Sequence, residues 1–341
     1  MNEPRLRELT GRFAGIHVLV VGDFFLDRYL VIDPAQAERS IETGLEAHQI
    51  VEVIAQPGAA GTVTANLRAL GLRVTVLGLV GDDGEGHELR QGLRALGVDD
   101  GTLLTAPGHR TPTYTKPIVR AADAPPRELE RLDIRTRAPT PSHATNALIA
   151  RLRALAPRAL AVIVADQMPA AEQGAITARV RAALTQLAEQ FPDTPFLADS
   201  RTRIGEFERV IVKPNAAEAA RAVWPDYTGE PDLATARQAG EVLRQRSSCP
   251  VFVTLGADGM LAISETSATH VPAIAVPGPI DVVGAGDSAM AAIAAGLCAG
   301  ATLEEAALLG NLAAAITIQQ LGTTGTASPE QIVEQWRAAQ G

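Results

Sequence analysis

Val276-Pro-Gly-Pro-Ile-Asp-Val-Val-Gly-Ala-Gly-Asp-Ser-Ala-Met-Ala-Ala-Ile293 sets Gly284 and Gly286 directly ahead of a long alanine-rich stretch of helical character. Glycines let the backbone turn tightly, the first N–H groups of a helix point outward, and the helix dipole adds partial positive charge there. The stretch therefore reads as an anion-binding turn, with the N–H groups of Ala285, Gly286 and Asp287 as its donors. Asp287 stands at its mouth. A carboxylate beside a bound phosphate repels it, so its presence suggests a base that takes a proton from an attacking hydroxyl. The plainer reading is a helix cap, worth about 1 kcal/mol. Gly284-Ala-Gly286-Asp-Ser-Ala289 also matches a dinucleotide fingerprint, but that motif belongs in an early βαβ unit with a strand-end acid about 20 residues on. Glu304 and Glu305 have the spacing yet lie in a helical stretch, and too little chain follows for a second nucleotide-binding half.

Upstream, short β-branched runs alternate with Ala/Leu/Arg segments of helical period. Strands are expected at 17–22, 73–80, 159–165, 196–198, 210–212 and 251–255, and helices at 62–70, 85–96, 174–191, 216–223 and 234–246. This rhythm predicts an α/β fold, a mostly parallel sheet covered by helices on both faces. Segments 31–56 and 107–133 break the rhythm and are expected to form a small extra sheet, a lid beside the main one. Ala138-Pro-Thr-Pro141 reads as a connector, so one domain over 1–341 is expected.

The chain has 341 residues, 46% hydrophobic, and no run near the roughly 18 apolar residues a membrane helix needs. Met1 to Phe13 is charged and unlike a signal peptide, so a cytoplasmic protein is expected. Cys249 and Cys298 form neither a disulfide framework nor a zinc spacing. A net charge of -9 argues against nucleic-acid binding. Of the 30 basic residues only Lys116 and Lys213 are lysines, each an exception in a chain that otherwise uses arginine.

Asp281-Val-Val-Gly-Ala-Gly-Asp287 resembles the C-terminal signature of ribokinase-like (PfkB) sugar kinases, and the resemblance runs through nearly the whole chain. Gly22-Asp-Phe-Phe-Leu-Asp27 resembles the first-strand segment whose acid binds sugar hydroxyls. Pro57 to Gly71 resembles the N-terminal glycine-rich signature, and Leu77 to Gly86 the strand and turn after it. Lys213-Pro-Asn-Ala-Ala-Glu218 resembles the Asn-x-x-Glu element, and Thr254-Leu-Gly-Ala-Asp-Gly259 a nucleotide-binding turn. Within the family the likeness is to the heptose-phosphate kinase half of bacterial ADP-heptose synthesis enzymes, through Gly22-Asp-x-x-Leu-Asp-Arg-Tyr29, Thr113-x-x-Lys116-x-x-x-Arg120 and Arg131-Leu-Asp133. The chain ends at Gly341, so the nucleotidyltransferase half of bifunctional forms is expected to be absent. Relatives have Pro-Gly-Gly-Ala-Ala-Asn where this chain has Pro57-Gly-Ala-Ala-Gly-Thr62, and Asp166-Gln-Met-Pro departs from Asp-Tyr-x-Lys-Gly. Both departures fall on the sugar side.

The resemblance implies a ribokinase-like α/β/α sandwich with a small β lid that transfers the ATP γ-phosphoryl group to a sugar or sugar phosphate. Asp287 would be the base, with Gly284, Ala285 and Gly286 forming the anion hole. Asp23, Asp27, Gly58, Thr62, Lys116, Arg120 and Asp166 would serve the sugar side. Lys213, Asn215, Glu218, Thr254, Gly256, Gly259 and Asn311 would serve the nucleotide. Magnesium would be held largely through water near Asn215 and Glu218. A monovalent cation such as potassium would sit at Asp281, the Val283 carbonyl and the 322–326 region. Lid-to-lid pairing would make a homodimer. A nucleoside kinase of the same fold and a non-catalytic sugar or nucleotide sensor are the rival readings.

Overall fold

The computed structural model describes residues 1–122 and 125–340; Asp123 and Ala124, within the expected lid segment 107–133, and Gly341, at the end of the expected domain, lie outside the described residues. The apolar run His17–Gly22 is an interior strand, third from one edge of a nine-stranded sheet. Leu104–Thr105, Arg73–Val80, His17–Gly22, Ala161–Asp166, Phe196–Ser200, Ile211–Val212 and Val251–Thr254 follow one another across it in parallel. Met260–Ile263 and Ala268–Val271 finish one edge as antiparallel strands. The sheet is covered on both faces, which is why its central strands read as continuous apolar runs.

Alternation along His17–Gly22 sorts the two cores. Val18 and Val20 enter one cluster with residues of helices Glu3–Gly11, Ala60–Ala69, Gly84–Ala95, Ala285–Cys298, Leu303–Thr317 and Pro329–Ala338. Leu19 and Val21 enter the other with residues of Ser142–Leu155, Ala178–Gln190, Ala216–Val223 and Leu233–Ser247. His17–Gly22 lies between Arg73–Val80 on one side and Ala161–Asp166 on the other, so later strands are added first to one flank and then to the other. Such a switch point opens a crevice outside the carboxyl ends of the strands.

A second, mixed sheet is built from Phe24–Ile32, Ile50–Ala59, Thr113–Val119 and Leu132–Ile134, with Arg127–Glu128 paired alongside. It begins seven residues earlier than the expected 31–56 segment, and Gly22–Asp27 straddles both sheets. Asp23 makes the junction. Its N–H donates to the Ala165 carbonyl at 2.9 Å, and its carboxylate accepts from the N–H groups of Gln167, Met168 and Ala175 at 2.8, 2.9 and 2.7 Å. The helix expected from residue 174 starts at Ala178, where the Thr177 side chain caps it by accepting from the Val180 N–H, while the Ala175 N–H ahead of the cap goes to Asp23. Among the described residues no helix is long and apolar enough to cross a membrane.

Candidate active site

A cleft of about 600 Å³ lies between the carboxyl ends of the main-sheet strands and the second sheet. Both lysines of the chain, Lys116 and Lys213, line it. One wall is the start of helix Ala285–Cys298. Gly284 adopts φ +82°, a left-handed conformation that suits glycine, and no side chain caps the helix. The Ala285 N–H, expected as a phosphate donor, instead closes the turn onto the Val282 carbonyl at 3.2 Å. Ser288 N–H bonds the Gly284 carbonyl at 2.9 Å. Among the described residues the N–H groups of Gly286 and Asp287 have no acceptor, so two donors of the helix start face the cleft.

Beside them lies Lys213, only 4% exposed and bonded to Asp199 at 2.7 Å. A β-carbon placed on Gly286 would stand 3.6 Å from the Lys213 Nζ. Burial works against the ammonium, but Asp199, with Glu218 and Asp287 beyond it, holds Lys213 above the ordinary lysine range. Burial, then the negative charge of Asp199, pushes the half-buried Asp287 carboxyl up to about 7. Asn215 and Glu218 form a reciprocal cap on helix Ala216–Val223, each side chain accepting the other's N–H, at 2.8 and 2.9 Å. Burial and Asp199 raise Glu218 as well.

The opposite wall comes from the second sheet. Alternation puts Phe25, Asp27 and Tyr29 on one face, and register sets Asp27 opposite Tyr114 and Tyr29 opposite Lys116. Phe25 and Tyr114 pack edge-to-face at 5.0 Å, Lys116 lies 5.2 Å from the Tyr29 ring centre, and Arg131 stacks 3.9 Å from that of Tyr114. Burial raises Asp27, against the pull of Lys116 and Arg131. Gly58 leaves room for Asp27 as it is placed: a β-carbon would fall 2.4 Å from an Asp27 carboxylate oxygen and push that side chain aside. Ala59, in the cleft lining, carries φ +53° and ψ -115°, a strain on the order of 1–3 kcal/mol for a non-glycine residue. Thr62 also lines the cleft, with its methyl 3.5 Å from where a Gly284 β-carbon would be, so the two helix starts abut.

Thr254, Gly256, Val283 and Gly284 line the cleft as expected. Other residues singled out by sequence do not. Asp23 is the buried junction already described. Asp166 is 1% exposed, held by Arg203 in a two-point ion pair and by the Ser200 hydroxyl at 2.7 Å. Arg120 is exposed and pairs with Glu52 at 3.1 Å. Gly259, at φ +94°, makes a turn in which a β-carbon would meet the Val271 carbonyl at 2.3 Å. Asn311 donates to the Val271 and Pro272 carbonyls at 3.0 and 2.9 Å and so braces that edge. Asp281 accepts from the Val283 N–H at 3.0 Å and the Gly322 N–H at 3.4 Å, joining the two segments expected to hold a monovalent cation. Sequence reasoning missed Gln167, Asp199 and Arg201, which line the cleft just past or at strand carboxyl ends. The switch-point rule would have flagged them.

The sheet order, the two helical layers and the small second sheet are those of the ribokinase-like sugar kinases. Residues 18–331 match the model of the pfkB family of carbohydrate kinases, and the chain belongs to that family. It is 31% identical to the "Bifunctional protein HldE" of Hyphomonas neptunium over 96% of its own length and 65% of that protein's. The HldE of Trichlorobacter lovleyi is also 31% identical, with 98% of this chain and 65% of that protein covered. The chain thus spans just under two thirds of these relatives. Among solved structures, Escherichia coli phosphofructokinase-2 in complex with potassium superposes with a TM-score of 0.69, at 17% identity, over 96% of this chain and 100% of that one. Arabidopsis thaliana ribokinase complexed with ribose and ATP gives 0.66, at 17% identity, over 94% and 98%.

Replacing Lys213 with Met leaves the Asp199 carboxylate without its partner, and unfolding in urea should show a loss of about 3 kcal/mol. Adding Asp199→Asn to that variant should recover most of it. Additive losses in the double variant would contradict the coupling.

Proposed function

We propose that this carbohydrate kinase moves the γ-phosphoryl group of ATP to a hydroxyl of a sugar that already carries a phosphate, with the heptose phosphates as the favoured class. The observation that carries this reading is the pairing of two unlike halves in one cleft. On one side stand a carboxyl raised to about 7, two unpaired N–H groups and a buried lysine. On the other stand Asp27, suited to sugar hydroxyls, and Lys116, suited to a second anionic group. In the same fold, Escherichia coli phosphofructokinase-2 is solved in complex with fructose-6-phosphate and Arabidopsis thaliana ribokinase with ribose and ATP.

Asp287 takes the proton of the acceptor hydroxyl, because its carboxyl is poised near neutral pH and lies at the mouth of the helix start. The Gly286 and Asp287 N–H groups and Lys213 meet the charge of the transferring group, and Asp27 orients the acceptor. Among the described residues no cluster of three acidic or other ligating side chains could cage a metal. Glu218 and Asn215, a carboxylate and an amide in the cleft lining, fit magnesium carried on nucleotide phosphates, which keeps several waters and needs only one or two carboxylates. Glu218 and Asn215 would hold it through water, and its charge would favour transfer. Asp281 and the Val283 carbonyl are the seat proposed for a monovalent cation.

A homodimer paired through the second sheet completes the reading, supported by the exposed apolar side chains of Ile50, Val51, Val53 and Ile54 on its outer strand. Light scattering should give twice the chain mass, and Val53→Lys should halve it; a wild-type monomer at micromolar concentration removes the dimer. A cytoplasmic setting, where ATP is supplied, belongs to the same proposal.

The substrate is tested by ADP release across sugars, sugar phosphates and nucleosides. Turnover should be at least tenfold faster with sugar phosphates, heptose phosphates foremost, and faster in potassium than in tetramethylammonium. Preference for nucleosides would make the chain a nucleoside kinase. Binding without turnover across the panel would make it a sensor, and equal rates in the two salts would remove the cation.

A further inference from the structure

The positive charges around the cleft are mostly committed. Lys213 is held by Asp199, Arg203 is locked onto Asp166, and Arg131 is bonded to Asp133. One cation of the cleft lining, Arg201, has no side-chain hydrogen-bond or ion-pair partner among the described residues. Lys116 belongs to the second sheet and lies over the Tyr29 ring. Arg201 belongs to the main sheet. It directly follows the strand Phe196–Ser200, and its N–H donates to the Asp166 carbonyl at 3.0 Å. The guanidinium is therefore exposed on a fixed base, two residues beyond the acid that holds Lys213 beside the anion hole.

Its charge acts on both halves of the cleft. Burial raises the carboxyls of Asp287 and Glu218 and the phenol of Tyr114, and in each case Arg201 works in the opposite direction. Asp287 stands at the helix start, Glu218 at the expected nucleotide side and Tyr114 in the second sheet. A long guanidinium that lines the same cleft as these three groups and has no side-chain partner among the described residues has a definite use in phosphoryl transfer. As the γ-phosphoryl group leaves ATP, charge spreads over its three equatorial oxygens, and two parallel N–H donors of an arginine match that arrangement.

We infer that Arg201 is a catalytic residue of the transfer step, bonding the phosphoryl oxygens more strongly in flight than in bound ATP. The inference rests on the kinase reading above. In the step, the acceptor oxygen forms a bond to the γ-phosphorus while the bond from that phosphorus to the bridging oxygen breaks. The electron pair leaves with ADP, the acceptor proton passes to Asp287, and Arg201 gains and loses none. Gly286 and Asp287 supply fixed donors, and Arg201 supplies the full positive charge that can follow the group.

The test is Arg201→Ala beside Arg201→Lys in the full chain, with thermal melting as the control for folding. Removing a charge stabiliser used mainly in the transition state should lower kcat by about 100-fold. The KM values for ATP and acceptor should stay within about threefold, and lysine should restore part of the rate. A rise in acceptor KM with kcat unchanged would assign Arg201 to ground-state binding and overturn the inference. So would a kcat within threefold of wild type. If wild type turns over and only this variant is indifferent, the kinase reading stands and this inference alone falls. Calorimetry with magnesium-ADP and aluminium fluoride, a mimic of the group in transit, gives a readout that needs no acceptor. Wild type should gain at least tenfold in ADP affinity when the fluoride is added, and Arg201→Ala should lose that gain. Equal gain in both proteins, or none in wild type, contradicts the role.

Discussion

The N–H groups of Gly286 and Asp287 have no acceptor among the described residues, and most of the cleft is arranged around that fact. A helix start left open in this way demands an anion or water. Gly284 makes the opening, since its left-handed turn brings the chain into the helix without a capping side chain. Lys213 adds a full charge alongside, and its burial is tolerable only because Asp199 is bonded to it. Asp199 then acts on a third group. Its negative charge, added to burial, keeps the Asp287 carboxyl near 7, where a carboxyl can both take up and release a proton. One ion pair thus stands beside the open helix start and tunes the carboxyl next to it.

The second constraint is mechanical. The chain passes from the main sheet to the second sheet through Asp23, whose carboxylate is fully used in holding the loop after Ala161–Asp166. That junction fixes where Phe24–Ile32 begins, and so which residues of the strand face the cleft. Asp27 falls on the cleft face by alternation, Gly58 leaves room for its carboxylate, and register brings Lys116 and Tyr114 alongside. Two neighbouring acids of one motif, Asp23 and Asp27, therefore do different work. The first is architectural, and the second faces the cleft.

Much of this was legible in the sequence. The strand at Arg73–Val80 and the helix at Ala216–Val223 have their expected bounds because both are set by local signals, an apolar run and an Asn-x-x-Glu cap. The tight turn into an uncapped helix was legible because two glycines and an apolar helix are adjacent in sequence. What escaped was nonlocal. Asp166 looked like a substrate acid until Arg203, a partner 37 residues on, neutralised it. Asp199 and Arg201 carry no motif, and their importance comes from standing where parallel strands end together. The outer second-sheet strand and the conformation of Ala59 depend on pairing with the strand Phe24–Ile32 upstream, which no short window of sequence contains.

The account turns on Asp287 as the base for a hydroxyl nucleophile, and Asp287→Asn tests it most directly. The variant should bind magnesium-ADP within about threefold of wild type and lose turnover by at least 1,000-fold, since the amide cannot accept the proton. In wild type, kcat/KM should rise with pH through about 7 and level off above it, because the carboxyl must lose its own proton before it can act. Retained turnover in Asp287→Asn, or a rate already flat down to pH 5, would contradict the account.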